Sequence, residues 1–148
     1  YIQLGRTSEL IGKLGEAIAL DEENELLYFN RGTIYDQEGD IDNAKKDYLT
    51  ALELNPSAFG ANYNLGALYF NQGVETKNKA NATSNNSLYK KLNKDAEAVF
   101  AKALPYLETA HNLNSEDKNT LLSLKQLYYL DGAYAKSEEM KKLIAELK

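Results

Sequence analysis

The stretch Tyr28-Phe29-Asn30-Arg31-Gly32-Thr33-Ile34-Tyr35 returns 34 residues later as Asn62-Tyr63-Asn64-Leu65-Gly66-Ala67-Leu68-Tyr69, and Gly39 is matched by Gly73 at the same spacing. A period of this length marks a stack of one supersecondary unit repeated, which decides the architecture before any single helix is placed. The first copy continues through Ala44, Tyr48, Ala51 and Leu52 to Pro56. Its residue types have a physical reason. Small side chains at Gly32, Gly66, Ala44, Ala51 and Ala110 let paired helices approach to about 8–10 Å, while tyrosines and leucines fill the spaces between ridges. One hairpin alone leaves an apolar face in water, and stacking covers it with the next hairpin.

Outward from this core the frame extends both ways. Backwards, Tyr1 and Gly5 take the positions of the tyrosine and the first-turn glycine, Leu14 that of the second-helix aromatic and Ala17 that of the small residue. The sequence therefore reads as beginning inside a first helix, with a partial unit over 1–24 that should fray. Forwards, Leu121, Leu124, Tyr128, Gly132 and Ser137 repeat the frame, with Lys125 in place of glycine and Lys141 in place of the aromatic, a degenerate terminal unit over 118–148. Between them lie a full unit over 25–58 and a longer one over 59–117.

Gly39 and Gly73 read as left-handed stops after first helices, and Asp40 or Asp42 as the cap of the helix that follows. Asn55-Pro56-Ser57 ends a second helix, because proline rejects helix continuation, and Asn114-Ser115-Glu116-Asp117 does the same without proline. The third unit carries an insertion at about 74–98. Val74 to Asn81 is helix-compatible, Ala82 to Asn86 is a short polar turn, and Leu88, Leu92, Ala96, Val99, Ala103, Leu107, Ala110 and Leu113 keep helical spacing. Two lengthened helices joined at a tip are expected. Pro105 predicts either a kink near Ala101 to Leu104 or a break with a helix restarting at Leu104.

The motif order of aromatic, Leu-Gly, Tyr, Gly, Ala, aromatic, Ala, Pro resembles the tetratricopeptide repeat (TPR) family, and residues 25–58 fill it almost completely. The departures are Tyr28 where that family prefers tryptophan, Arg31 where it prefers leucine, and Asn62 in place of the next aromatic. The resemblance implies an all-α, α-α superhelix, a TPR solenoid of about three and a half helical hairpins with lengthened helices in the third, forming a single domain over 1–148. Phe100-Ala101-Lys102-Ala103-Leu104-Pro105-Tyr106-Leu107 and Lys118 to Tyr128 are similar to the C-terminal end of uncharacterised TPR proteins of Bacteroidetes. That second likeness implies an exported, periplasmic or cell-envelope setting and a longer parent chain.

The first helix of each hairpin lines the concave face in the TPR family. The matching positions here are Phe29, Asn30, Thr33, Tyr63, Asn64, Phe70, Asn71, Gln126 and Tyr129, with Leu26, Asp36 and Ala67 beside them. Such a face is aromatic and amide-rich, suited to an extended peptide backbone. Phe29, Tyr63 and Leu122 stand where a clamp for a terminal carboxylate would want lysines, so that specialised use is not expected. Asn30 and Asn64 have a purely structural alternative, since the family often places asparagine there for packing.

Composition narrows the chemistry. At 148 residues, 43% hydrophobic and 26% charged, the chain is long enough for a packed core, and its eleven tyrosines stand against no tryptophan. A net charge of −5 and a pI near 5.0, with no basic stripe, argue against nucleic acid. There is no cysteine, and His111 is the sole histidine, so neither a thiolate or histidine metal cluster nor a Ser-His-Asp triad assembles. His111 reads as a partly buried structural residue. Asp36, Glu38, Asp40 and Asp42 alternate like calcium ligands, but Gly39 is misplaced for a calcium loop and no glutamate closes it, whereas helix capping explains them.

The sequence thus predicts a non-enzymatic scaffold without catalytic residues, cofactor, metal or membrane span. It would hold a protein or peptide, with a self-associating spacer in a larger envelope protein as the alternative.

Overall fold

The structure, a computed structural model, describes residues 2–147, so the expectation placed on Tyr1 lies outside the described residues. Among these residues are seven helices and no strand: α1 (Ile2–Leu20), α2 (Glu25–Gln37), α3 (Ile41–Leu54), α4 (Phe59–Ala82), α5 (Asn86–Leu113), α6 (Lys118–Leu130) and α7 (Tyr134–Glu146). The chain divides into two compact units, the first ending at Asn64 and the second beginning at Leu65.

In the first unit α2 and α3 form a hairpin whose turn follows from two residues. Gly39 takes φ +79°, a left-handed conformation that side-chain-bearing residues resist. The following Asp40 N–H donates to the Tyr35 carbonyl at 2.8 Å and closes the end of α2. Asp40 then caps α3, its carboxylate accepting from the Asn43 N–H at 3.3 Å and the Asn43 amide at 2.7 Å. Asn55 ends α3 in an extended conformation (φ −141°), as the residue before a proline must, and accepts from the Ser57 N–H at 3.1 Å.

Glycine and alanine set the spacing of this hairpin. A Cβ on Gly32 would lie 3.0 Å from the Tyr48 ring, and Ala44, Tyr48 and Ala51 are fully buried. The departure at Arg31 is compensated on the facing helix. Its guanidinium donates to both oxygens of Asp47 on α3, Nε at 2.7 Å and Nη2 at 2.8 Å. Only 3% of the Asp47 side chain is exposed, so its charge is acceptable there only because that fork neutralises it. The hydrogen bond to Asp47 raises the arginine's pKa further, against the lowering effect of burial. Asn62 replaces an aromatic for a comparable reason: its buried amide donates to the Pro56 and Ala58 carbonyls, both at 3.0 Å, and ties down the start of α4.

One expectation fails at the N-terminal side. Helix α1 runs unbroken through Gly5, so no turn forms there. No atom beyond the glycine's own surroundings lies within 4 Å of where its Cβ would be, and its φ is not positive, so nothing among the described residues imposes a turn.

In the second unit, α4 from Leu65 onward and α5 pack antiparallel. Gly66 faces Leu107, Gly73 faces Phe100, and Lys77 near the end of α4 donates to Asn93 near the start of α5. Gly73 is therefore not the expected left-handed stop; it lies buried inside α4, where a Cβ would come within 2.5 Å of the Phe100 ring. The missing side chain is used for helix approach, and the helix continues to Ala82. This lengthened pair, 24 and 28 residues, turns through Thr83 to Asn85, with Asn85 capping α5 by accepting from the Leu88 N–H at 3.0 Å. Pro105 sits inside α5 without breaking it, so the restart at Leu104 does not occur. The proline still deprives the Ala101 carbonyl of its usual donor.

The terminal hairpin α6–α7 repeats the devices of the first. Gly132 takes φ +76° and the Ala133 N–H returns to the Tyr128 carbonyl at 2.8 Å. Asp117 caps α6 through the Thr120 N–H at 2.7 Å. Where earlier copies have a glycine the chain has Lys125, and the buried Ser137 donates to its carbonyl at 2.8 Å. Tyr128 is buried against α5 and donates to Glu108 at 2.7 Å; burial and that carboxylate hold its phenol well above the ordinary range.

Three substitutions test these contacts. Arg31→Leu restores the residue the repeat prefers, yet should cost about 3 kcal/mol in denaturant unfolding by stranding Asp47, and Arg31→Leu with Asp47→Ala should recover most of it. Gly66→Ala places a Cβ 2.7 Å from Leu107 Cγ and 3.3 Å from its backbone nitrogen, and should lower the melting temperature. Gly12→Ala, with open space around it, should raise stability by up to about 1 kcal/mol through helix propensity alone.

Candidate binding surface

Each unit carries part of the face expected to bind. In the first unit Leu26 and Asn30 on α2 are exposed, Leu26 at 59%. Phe29 is half-buried: it tilts on Tyr48 with centroids 6.0 Å apart and its ring tip lies 2.8 Å from the Cβ position of Gly60. Tyr63 stacks on Phe59 at 6.2 Å with 9° between planes. A recess of about 190 Å³ opens between Leu26, Phe29, Asn55 and Phe59.

Behind that face lies a polar centre that sequence reasoning missed. The repeat frame gives Tyr48 a packing role alone, yet its hydroxyl donates to the Thr33 hydroxyl at 3.4 Å and accepts from the Asn64 amide at 3.2 Å. Thr33 in turn donates to the Phe29 carbonyl at 2.9 Å. The signal was available: a phenol on a fully buried ring has to find partners. Thr33 and Asn64 thus spend part of their hydrogen-bonding capacity inside the fold. Burial raises the pKa of the Asp36 carboxyl, and a hydrogen bond with Tyr48 opposes that rise. Burial likewise raises the Tyr48 phenol, against the bonds to Thr33 and Asn64 and with the help of Asp36.

In the second unit Phe70 is half-buried, tilted on Phe100 at 5.9 Å, while Asn71 is exposed beside it. On α6, Gln126 and Tyr129 are both exposed, Tyr129 at 63%, and the Tyr129 ring meets Tyr134 edge-on at 5.4 Å. These two line a recess of about 600 Å³ with Leu122, Lys125, Glu138 and Lys141. Glu138 is exposed and receives Lys141 at 3.1 Å on the rim. The structure therefore joins Gln126 and Tyr129 to residues of α7 that the repeat frame does not point to.

Asp40 is a helix cap, as the capping reading of the acidic run requires. Among the described residues no group of three or more His, Asp or Glu side chains is placed to hold a metal ion. His111 is half-buried, with Nδ1 buried and without a hydrogen-bond partner among the described residues. No helix among them is long and apolar enough to cross a membrane.

Residues 32–73 match the family model described as TPR repeat. The photosystem I assembly protein Ycf3 of Acaryochloris marina (strain MBIC 11017) is 32% identical over 79 residues, which cover 51% of this chain and 48% of Ycf3. The chain thus spans about half the length of that curated relative. Among solved structures, a monomeric mutant of IFIT1 with Gppp-AAAA is similar at a TM-score of 0.71 and 21% identity, over 91% of this chain and 28% of that one. A MamA protein is similar at 0.69 and 18% identity over 99% and 66%. A thermophilic TPR protein in Thermus thermophilus is similar at 0.62 and 17% over 99% and 69%. At these identities the likeness establishes the fold, an all-α TPR solenoid.

Asp36 offers a pH test of the polar centre. A carboxyl whose pKa is raised by folding opposes stability once ionised, so its penalty is absent below the unfolded value of 3.8 and develops as pH rises through the folded one. It also lies in the last turn of α2, where the helix dipole disfavours an anion. Asp36→Asn keeps an acceptor for Tyr48. It should raise the melting temperature at neutral pH, and the gain should vanish at roughly pH 3. An equal gain at both pH values would remove charge burial as the cause.

Proposed function

We propose that the chain is a scaffold that binds an extended segment of another protein, with the recess between α6 and α7 in the second unit as the principal contact and the exposed residues of α2 in the first unit as a separate one. The observation that carries this reading is the pairing of exposed Tyr129 and Gln126 over a recess of about 600 Å³, large enough for two or three side chains. A tyrosine already braced edge-on by Tyr134 offers contact area at small entropy cost, and Gln126 supplies both a donor and an acceptor for a peptide backbone. Asn30 and Asn71, exposed on their first helices, offer the same chemistry. The acidic net charge supports a protein partner over a nucleic acid, whatever IFIT1 itself holds.

A second reading rests on exposed Leu122, Tyr129, Leu130 and Tyr134 in the terminal hairpin, a set that a second copy or a further helix would cover. Sedimentation velocity separates the two readings, since only self-association is concentration-dependent without a ligand.

The test of the first is selection of binding peptides from a display library, followed by titration of the best against Tyr129→Ala and Gln126→Ala. Each substitution should weaken binding by about tenfold while melting temperature stays unchanged, because both residues are exposed. Selected peptides that bind both variants as tightly as the parent would take the recess out of the account.

A further inference from the structure

We propose that the tip of the α4–α5 hairpin is a contact site for an anionic phospholipid surface. Between Lys77 and Lys94 the sequence holds five lysines and no acid. The other residues then hold twelve bases against twenty-two acids, so this short segment is net positive in a chain that is net negative elsewhere. Along the sequence these lysines fall into two groups separated by a polar turn, which is why no basic stripe is visible there. The hairpin corrects that reading by bringing the end of α4 and the start of α5 together, as the Lys77 to Asn93 hydrogen bond shows.

The lysines differ in what they do. Lys77 is spent on that hydrogen bond, and Lys79 is paired with Glu75 at 2.7 Å. Lys90, Lys91 and Lys94 are exposed and hold no ion pair or hydrogen bond among the described residues. They lie in the first nine residues of α5, whose first turn contains no acid. No acid lies among them or before them in α5, so their charges add rather than cancel.

Leu88 and Tyr89 stand in the same turn, 42% and 41% exposed. An apolar and an amphipathic side chain flanked by free lysines is the chemistry of a lipid interface, where the ring sits among headgroups and lysine stems lie along the acyl boundary. A long nucleic acid fits less well. The tip offers lysine without arginine and a single ring for stacking, and beyond it the surface turns acidic, starting with Asp95 and Glu97 on α5. A flat bilayer meets the tip alone, where Leu88 and Tyr89 are exposed.

The test is vesicle co-sedimentation of the whole chain with neutral phosphatidylcholine and with vesicles containing about 30% phosphatidylserine. Binding is expected to the second only. The triple variant Lys90→Gln, Lys91→Gln, Lys94→Gln should weaken it on the order of a hundredfold. Leu88→Ser with Tyr89→Ser, which keeps every charge, should weaken it about tenfold. Tyr129→Ala should leave it unchanged, which separates this site from the peptide recess. All of these positions are exposed, so unaltered thermal melting checks that each variant folds. Absence of binding to anionic vesicles overturns the proposal, as does equal binding to neutral ones. Indifference to the Leu88 and Tyr89 changes, with equal affinity for a short RNA, would assign the tip to soluble polyanions instead.

Discussion

The closeness of facing helices at glycine is the constraint on which the rest depends. Gly66 against Leu107, Gly73 against Phe100 and Gly32 against Tyr48 each admit a large side chain into space that a Cβ would occupy. In every case the partner is an aromatic ring or a leucine, so a missing side chain on one helix is filled by a bulky one on the other. This is how a chain with no tryptophan and few phenylalanines reaches close packing. Such contacts recurring in register hold successive helices as hairpins. The outward residues of the first helices are then left to other uses.

Departures from the repeat pattern are balanced within the structure. Arg31 in place of leucine is matched by Asp47, buried on the facing helix and held by a two-pronged hydrogen bond. Asn62 in place of an aromatic takes over the backbone of the α3–α4 turn. Lys125 in place of glycine is accommodated because Ser137 bonds its carbonyl and the lysine side chain leaves toward the recess. Each exchange converts an apolar contact into a polar one that depends on a specific partner. Such a partner fixes geometry more narrowly than a hydrophobic patch does.

The fold was legible in the sequence because its signal is periodic: a 34-residue return of tyrosine and glycine needs no knowledge of any distant contact. Gly39 and Gly132 show how local the readable part is, since each turn is made by its own residue and its neighbours. Gly73 shows where such reading stops. A glycine that ends a helix and one that admits a ring look alike in sequence, and only Phe100, 27 residues on, tells them apart. The candidate surface was legible as a set of positions, because the repeat frame says which helix face each residue occupies. What those residues do with their polar atoms was not, since Tyr48 recruits Thr33 and Asn64 from other helices. The lysines of the hairpin tip escaped notice for the same reason, being neighbours only once α5 folds back on α4.

The central claim is that the lengthened pair, like the regular hairpins, is held by rings and leucines seated on glycines. The most direct measurement is the nuclear Overhauser contact between the Gly73 α-protons and the Phe100 ring protons in the unsubstituted protein. A strong cross-peak is expected, with one Gly73 α-proton shifted upfield by the ring, together with a cross-peak from Gly66 to the Leu107 methyl groups. Their absence, with both helices present by backbone chemical shift, would mean that α4 and α5 do not pack in this register and would contradict the account.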